Sequence, residues 1–218
     1  MTNQRTIENR VKSALWWLFG IQRHVFRKKS YLHTTGWYES FKRGYPCDLH
    51  GNELPWMNYP IIALLNERLT NDLTLFEYGS GYSTIYYGNR VCSVDSIEYD
   101  QNWLDRMREH LPENANVQYI EQDVDGKYCR AIHEYEQDFD VVVIDGRDRI
   151  NCVKQAINKL TDRGVIILDD SHRKEYLPAI VHAEQCGFRA LNVEGIKPTG
   201  GRIYRTTIIY RNGNCLGI

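Results

Sequence analysis

In this 218-residue chain, carboxylates recur at one kind of position, directly after a short apolar run. Glu77 closes the run that starts at Leu73, and Glu98 follows Val91–Ile97. Asp123 comes after Val117–Glu121, Asp145 after Asp140–Ile144, and Asp169-Asp170 after Val165–Leu168. One such acid is an ordinary helix N-cap, because its oxygens accept from the orphan amides of a first helical turn. Five in succession describe a cleft where several carboxylates converge. The first is followed by Tyr78-Gly79-Ser80-Gly81-Tyr82-Ser83-Thr84, a turn whose glycines let the backbone approach a ligand closely.

A carboxylate at Glu77, two residues before the first glycine, repels a pyrophosphate but suits a cationic amino-acid group. Glu98 lies about 20 residues beyond the loop, where dinucleotide folds keep the acceptor for ribose hydroxyls. A ligand with a ribose and an ammonium but no phosphate is S-adenosylmethionine. Two further clusters, Asp145-Gly146-Arg147-Asp148-Arg149 and Asp169-Asp170-Ser171-His172-Arg173, would be brought together by adjacent strands. Asp145, Asp169 and Asp170 offer hard oxygen donors for Mg²⁺. The metal-free alternative takes His172 as the base, since imidazole titrates near neutral pH; it reads equally well as an exposed residue at a helix start. Arg147, Arg149 and Arg173 recognise carboxylate or phosphate, either as internal partners of Asp148, Asp169 and Asp170 or toward an anionic acceptor.

These residues need a scaffold that places strand ends side by side. From residue 73 the pattern is strand–helix alternation, the signature of an α/β fold with a mostly parallel, doubly wound sheet. Strands are expected at Leu73–Glu77, Val91–Ile97, Val117–Glu121, Asp140–Ile144 and Val165–Leu168. Helices are expected at Tyr82–Asn89, Gln101–Leu111, Tyr128–Tyr135, Ile150–Leu160 and Lys174–Cys186. Arg189–Val193 and Thr206–Arg211 are joined through Lys197-Pro198-Thr199-Gly200-Gly201, with no room for a helix, so the last strand is antiparallel. Upstream, Pro55–Leu69 reads as a helix and residues 30–55 as an irregular connection. The domain proper is expected over 56–218, preceded by a basic amphipathic extension over 1–55.

That extension carries the charge asymmetry. Residues 1–45 hold nine basic side chains against two acidic ones, a surplus of seven, while the whole chain has a net charge of -1. A basic arm on an acidic body suits an anionic membrane surface, an anionic substrate or nucleic acid, and equally a solvated helix face. Residues 7–26 repeat apolar side chains at helical spacing, and Trp16-Trp17 beside basic residues suits peripheral membrane contact through 7–29. The alternatives are docking on the protein's own body and homodimerisation. The apolar stretch Ala14–Gly20 is far short of the ~20 residues that span a bilayer. Six scattered cysteines have no metal-ligand spacing; Cys92, Cys152 and Cys186 read as small core residues in a reducing, cytoplasmic compartment.

Phe76-Glu77-Tyr78-Gly79-Ser80-Gly81, Ser96-Ile97-Glu98-Tyr99-Asp100 and Asp140–Gly146, with the terminal hairpin, resemble the class I S-adenosylmethionine-dependent methyltransferases over about residues 56–218. The resemblance implies that Glu77, Tyr78, Gly79, Ser80, Gly81, Ser83 and Thr84 form the loop at the methionine end. It implies that Glu98 holds the ribose hydroxyls, that Asp123 lies beside the adenine, and that Asp145 borders the cofactor. The acids after strands four and five are similar to those of metal-dependent catechol-type O-methyltransferases. This chain departs from them with Asp169-Asp170 in place of Asp-Asn, and with Asp148 where that family keeps a lysine base. The segment Trp37–Leu69, with Gly51-Asn52-Glu53-Leu54-Pro55-Trp56-Met57-Asn58-Tyr59-Pro60, looks like a bacterial methyltransferase group associated with surface-polysaccharide genes. The expected function is methyl transfer to a hydroxyl of a small or glycan-type acceptor, with Asp145, Arg147, Asp148, Asp170 and His172 as the catalytic candidates. Rival readings are a nicotinamide or nucleotide-sugar enzyme, which Glu77 opposes on charge, and a non-catalytic membrane- or partner-binding module. Nucleic acid is not an expected partner, because the body carries no basic patch.

Overall fold

The computed structural model describes residues 12–17, 19, 20, 25 and 27–218. The apolar runs form seven strands: β1 (Thr74–Tyr78), β2 (Ser93–Glu98), β3 (Ala115–Tyr119), β4 (Phe139–Ile144), β5 (Leu160–Leu168), β6 (Arg189–Gly195) and β7 (Tyr204–Tyr210). They lie in one sheet in the order β3-β2-β1-β4-β5-β7-β6. β1 to β5 are mutually parallel, and β7 runs antiparallel to both β5 and β6. The sheet is therefore the expected Rossmann-like α/β type with its last strand reversed, because the short link from Gly195 to Tyr204 holds no crossover helix.

Burial on both faces explains the sequence of the central strands. Val142, Ile144, Ile166 and Leu168 join one buried cluster, while Val141, Val143, Val165 and Ile167 join another on the opposite face. A strand covered on both sides has no polar face to present, so it reads as a continuous apolar run. Eight helices among the described residues from Tyr31 onward accompany the sheet: α1 (Tyr31–Thr34), α2 (Trp37–Arg43), α3 (Tyr59–Arg68), α4 (Tyr82–Gly88), α5 (Gln101–Met107), α6 (Lys127–Arg130), α7 (Arg149–Ala156) and α8 (Leu177–Gln185). α3 and α4 bury Ile61, Leu65, Tyr86 and Tyr87 against one face, and α6 to α8 bury Cys129, Cys152, Val153 and Ala179 against the other.

Several boundaries differ from the sequence reading. The helices expected over 101–111, 128–135, 150–160 and 174–186 are each part α-helix and part 3₁₀ turn, and Leu160 opens β5 instead of closing a helix. Residues 30–55 are not wholly irregular, since they contain α1 and α2; Gly36 and Gly44 bracket α2 in left-handed conformations (φ 84° and 77°) that begin and stop it. Cys152 is buried as expected, but Cys92 and Cys186 are exposed. No helix among the described residues is long and apolar enough to cross a membrane.

The helix expected from residue 55 begins at Tyr59, because Asn58 caps it. The Asn58 Oδ1 accepts from the Ile61 amide at 3.1 Å. Its Nδ2 donates to the Val193 carbonyl at 3.1 Å and to Thr206 Oγ1 at 2.9 Å. One buried side chain thus ties the start of α3 to both terminal strands. The Tyr59 amide adds a bond to the Ile196 carbonyl at 2.9 Å. Truncating Asn58 to Ala leaves a helix amide and a buried threonine hydroxyl short of partners, so it should cost about 2–3 kcal/mol in urea unfolding. Asn58→Asp should recover only the cap; a stability loss under about 0.5 kcal/mol for Asn58→Ala would show that the tie is dispensable.

Candidate active-site cleft

β1 pairs with β2 on one side and β4 on the other, so the chain order reverses at β1. Ligands of open α/β sheets bind at the carboxyl ends beside such a switch point. Here the loops after β1 and β4 meet backbone to backbone. Gly79 adopts φ 96°, and a Cβ built on it would stand 2.9 Å from the Gly146 backbone. Gly146 is equally constrained by the Tyr128 hydroxyl and the Tyr78 backbone. Glycine is required at both points, which fixes the floor of a cleft of about 360 Å³.

The cleft is lined by Gly79, Ser80, Gly81, Tyr82 and Ser83 from the first loop, and by Glu98, Tyr99, Asp100 and Trp103 after β2. Asp145 and Gly146 follow β4, and Pro46 and Trp56 come from the N-terminal side. Among these described residues there are three carboxylates and no lysine, arginine or histidine. Glu98 is buried, and its carboxylate accepts the Ser80 amide at 2.9 Å and the Tyr99 and Asp100 amides at 2.8 Å each. Burial nevertheless holds its pKa above the ordinary value, against the lowering effect of those amides. Asp145 is pushed up to about 6, by burial first, while Arg149 at 2.8 Å opposes the rise. The aromatic wall is braced: the Trp103 indole N–H donates to the Ser80 carbonyl at 2.9 Å, Tyr82 meets Trp103 edge-on, and Tyr82 stacks on Tyr45.

Not every expected residue faces this cleft. Glu77 is 0% exposed and sits behind the loop, where Ser83 Oγ, Thr84 Oγ1 and Ser96 Oγ donate to its carboxylate at 2.5, 2.6 and 3.2 Å. Thr84 Oγ1 also accepts the Gly81 amide at 2.9 Å, so Glu77 and Thr84 hold the loop's shape from within. The carboxylate expected to meet a cationic ligand is therefore enclosed, and Asp145 is the acid beside Gly79 that borders the cleft. Tyr78 points into the core, its hydroxyl donating to the Cys129 carbonyl at 2.8 Å. Asp123 accepts the Lys127 and Tyr128 amides at 2.7 and 3.0 Å, capping α6, and faces a separate hollow shared with Arg147 and Asp148. Between that hollow and the cleft, Arg147 lies over the Tyr99 ring at 4.6 Å and donates to its hydroxyl at 2.7 Å.

The expected metal centre does not fit the residues present. Asp169 and Asp170 share the Lys197 ammonium, at 2.5 and 2.7 Å, and Thr206 Oγ1 donates to the other Asp169 oxygen at 2.6 Å. Arg173 pairs with the second Asp170 oxygen at 2.9 Å. Arg149 is buried; it donates to the Asp145, Gly146 and Asp169 carbonyls besides its ion pair with Asp145. Three cations, Lys197, Arg149 and Arg173, thus pair with the three acids, and a divalent ion would have to displace Lys197. No group of metal-binding geometry is found among the described residues. Asp148, in the place of a lysine base, accepts from Asn151 and the Asp125 amide and stands on the far side of Arg147. His172 packs edge-on to Tyr204, with its Nδ1 buried and without a hydrogen-bond partner.

Sequence reasoning missed Lys197, Trp103 and Pro46 as parts of this region, and named Asp100 and Trp56 only within longer segments. Lys197 lies 27 and 28 residues from its two partners, so no local spacing marks it. Trp103 stands three residues after Asp100, the last residue of the Glu98 motif, and that nearness was the available signal.

No family model matches the chain, and no curated protein matches its sequence. Solved structures do resemble it. A precorrin 8W decarboxylase from Methanobacterium thermoautotrophicum shares 17% identity at a TM-score of 0.53, over 78% of this chain and 97% of that one. A precorrin-6y C5,15-methyltransferase from Geobacter metallireducens shares 18% at 0.53, over 70% and 87%. A methyltransferase from Pyrococcus furiosus shares 16% at 0.52, over 81% and 93%. At such identities the likeness establishes the fold, that of the class I methyltransferases, and a fold does not by itself name a reaction.

The enclosure of Glu77 has a measurable consequence. Burial raises its pKa to about 8, so the folded protein keeps a proton that the unfolded chain releases near pH 4.5. Its contribution to stability is complete at low pH and is lost as pH rises through about 8. Glu77→Gln cannot titrate, so between those limits it should gain stability relative to wild type by on the order of a few kcal/mol. Urea midpoints followed across that range test this, and parallel curves for the two proteins would contradict it.

Proposed function

We propose that this chain is an S-adenosylmethionine-dependent methyltransferase that methylates a hydroxyl of a small or glycan-type acceptor. One observation carries the reading: among the described residues, the cleft at the switch point is lined by Glu98, Asp100 and Asp145 and by no basic side chain. Phosphate-bearing ligands such as nicotinamide dinucleotides or nucleotide-sugars need donors or cations there, and three carboxylates repel them. A sulfonium with an amino-acid ammonium and a ribose has the complementary charge. Glu98 suits the ribose hydroxyls, since a carboxylate has about four lone-pair positions, of which three amides take three and the fourth meets only the Ser80 hydroxyl at a long 3.5 Å. Asp145 and the Gly79–Gly81 turn suit the cationic end.

The acceptor side is read from what stands beside the cleft. Trp56 is half exposed, lines the cleft, and is held by its indole N–H on the Pro198 carbonyl at 3.0 Å. A braced aromatic face suits a sugar ring. Arg147, Arg149 and Arg173 already have partners, which favours a neutral acceptor over an anionic one. His172, close after Asp170 beyond the carboxyl end of β5, is the proposed base, its ring held against Tyr204 with Nδ1 turned inward. In methyl transfer it would take the acceptor hydroxyl's proton as that oxygen attacks the methyl carbon, whose bond to sulfur breaks.

Glu98→Ala should weaken S-adenosylmethionine binding by roughly 1–3 kcal/mol, or about 5- to 150-fold in Kd by calorimetry. Unchanged affinity would remove Glu98 from the site. His172→Ala should leave cofactor affinity within about twofold while lowering methyl transfer to hydroxyl acceptors by about 100-fold or more. Full activity in that variant would dispose of the assigned base and leave the cofactor reading intact.

A further inference from the structure

The N-terminal arm carries a surface that the cleft does not explain. Residues 12–17 are helical, and within and just after them Leu15, Trp16, Trp17 and Phe19 are 47%, 80%, 68% and 67% exposed. These are among the largest apolar side chains in the protein, yet they are left in water, where exposed apolar area is costly and marks an interaction site. Their arrangement limits the occupant. Successive helical residues are about 100° apart, so Leu15, Trp16 and Trp17 span roughly 200° of the helix surface. A flat protein face covers one side of a helix and would leave part of that arc wet. A fluid apolar medium that closes around the helix would not.

Charge narrows the choice further. Lys12 precedes the apolar cluster, and Arg27, Lys28 and Lys29 follow it, all four exposed. Tyr38 Oη donates to the Val25 carbonyl at 3.2 Å, which fixes the base of the arm to α2. Cations flanking a short tryptophan-bearing plug suit a bilayer whose headgroups are anionic and whose interfacial zone takes up indole rings. The cluster from Leu15 to Phe19 rises only about 7 Å as a helix, enough to enter one leaflet and far too little to span it.

We infer that the arm is a monotopic anchor that binds anionic lipid bilayers by inserting Leu15, Trp16, Trp17 and Phe19 beneath the headgroups. The cofactor cleft is held beside it: α2 carries Trp37, whose indole N–H donates to the Gly200 carbonyl at 2.8 Å in the same loop that holds Trp56. Binding therefore localises the enzyme at a lipid surface.

The test is co-sedimentation of the full chain with vesicles of phosphatidylcholine alone or with 30 mol% phosphatidylserine. Trp16→Ser/Trp17→Ser is the comparison, and urea midpoints confirm that the double variant folds. The expected result is a partition coefficient at least tenfold higher on the anionic vesicles, a blue-shifted tryptophan emission on binding, and at least a tenfold loss in the variant. Absence of binding to anionic vesicles overturns the inference, as does equal binding by the variant. A dimer in sedimentation velocity that the double substitution dissociates also overturns it, because a second copy then covers the face.

Discussion

Carboxylates at the ends of parallel strands pose one physical problem throughout this fold: those that are buried must find donors or a cation or give up their charge. The solutions differ, and the differences allot the roles. Glu77 is surrounded by three hydroxyls and retreats toward its protonated form. Asp169 and Asp170 are paired with Lys197 and become part of the framework. Asp123 caps a helix. Glu98, which is buried, and Asp145, which is partly exposed beside Arg149, stand on the wall of the cleft and are the acids of this set that a ligand can meet.

Lys197 is the link that makes the rest rigid. Burying an ion pair costs desolvation at both ends and is repaid only when the geometry is well satisfied. Here the ammonium serves two carboxylates, lies 4.9 Å from the Tyr204 ring centre, and anchors the connection between β6 and β7 to the end of β5. That connection in turn accepts from Trp37 and Trp56 through the Gly200 and Pro198 carbonyls. The N-terminal residues that roof the cleft are thus positioned by an ion pair near the opposite end of the chain. The same pair occupies the place where a divalent cation had been expected.

The sheet was legible in the sequence because two-sided burial writes itself as runs such as Val141–Ile144, and because a short Gly- and Pro-containing link admits only a reversed last strand. Gly79 was legible for a related reason, since its close approach to the Gly146 backbone leaves no room for a side chain. Glu98, expected at a strand end beyond the loop, lines the cleft. What spacing could not convey was side-chain direction: Glu77 and Tyr78 are adjacent to the loop yet face away from its open side. Lys197 was illegible because its partners lie across a strand reversal, and α2 because glycines at both ends made its surroundings resemble a loop. Much of the expected amphipathic helix over residues 7–26 lies outside the described residues.

The central claim is that an acid-lined, cation-free cleft selects a cationic nucleoside over a phosphorylated one. Isothermal titration of the full chain with S-adenosylmethionine and, separately, with NAD under identical conditions tests it most directly. The account predicts saturable binding of S-adenosylmethionine with Kd below the millimolar range and no measurable heat from NAD. Saturable binding of NAD with none of S-adenosylmethionine would contradict it.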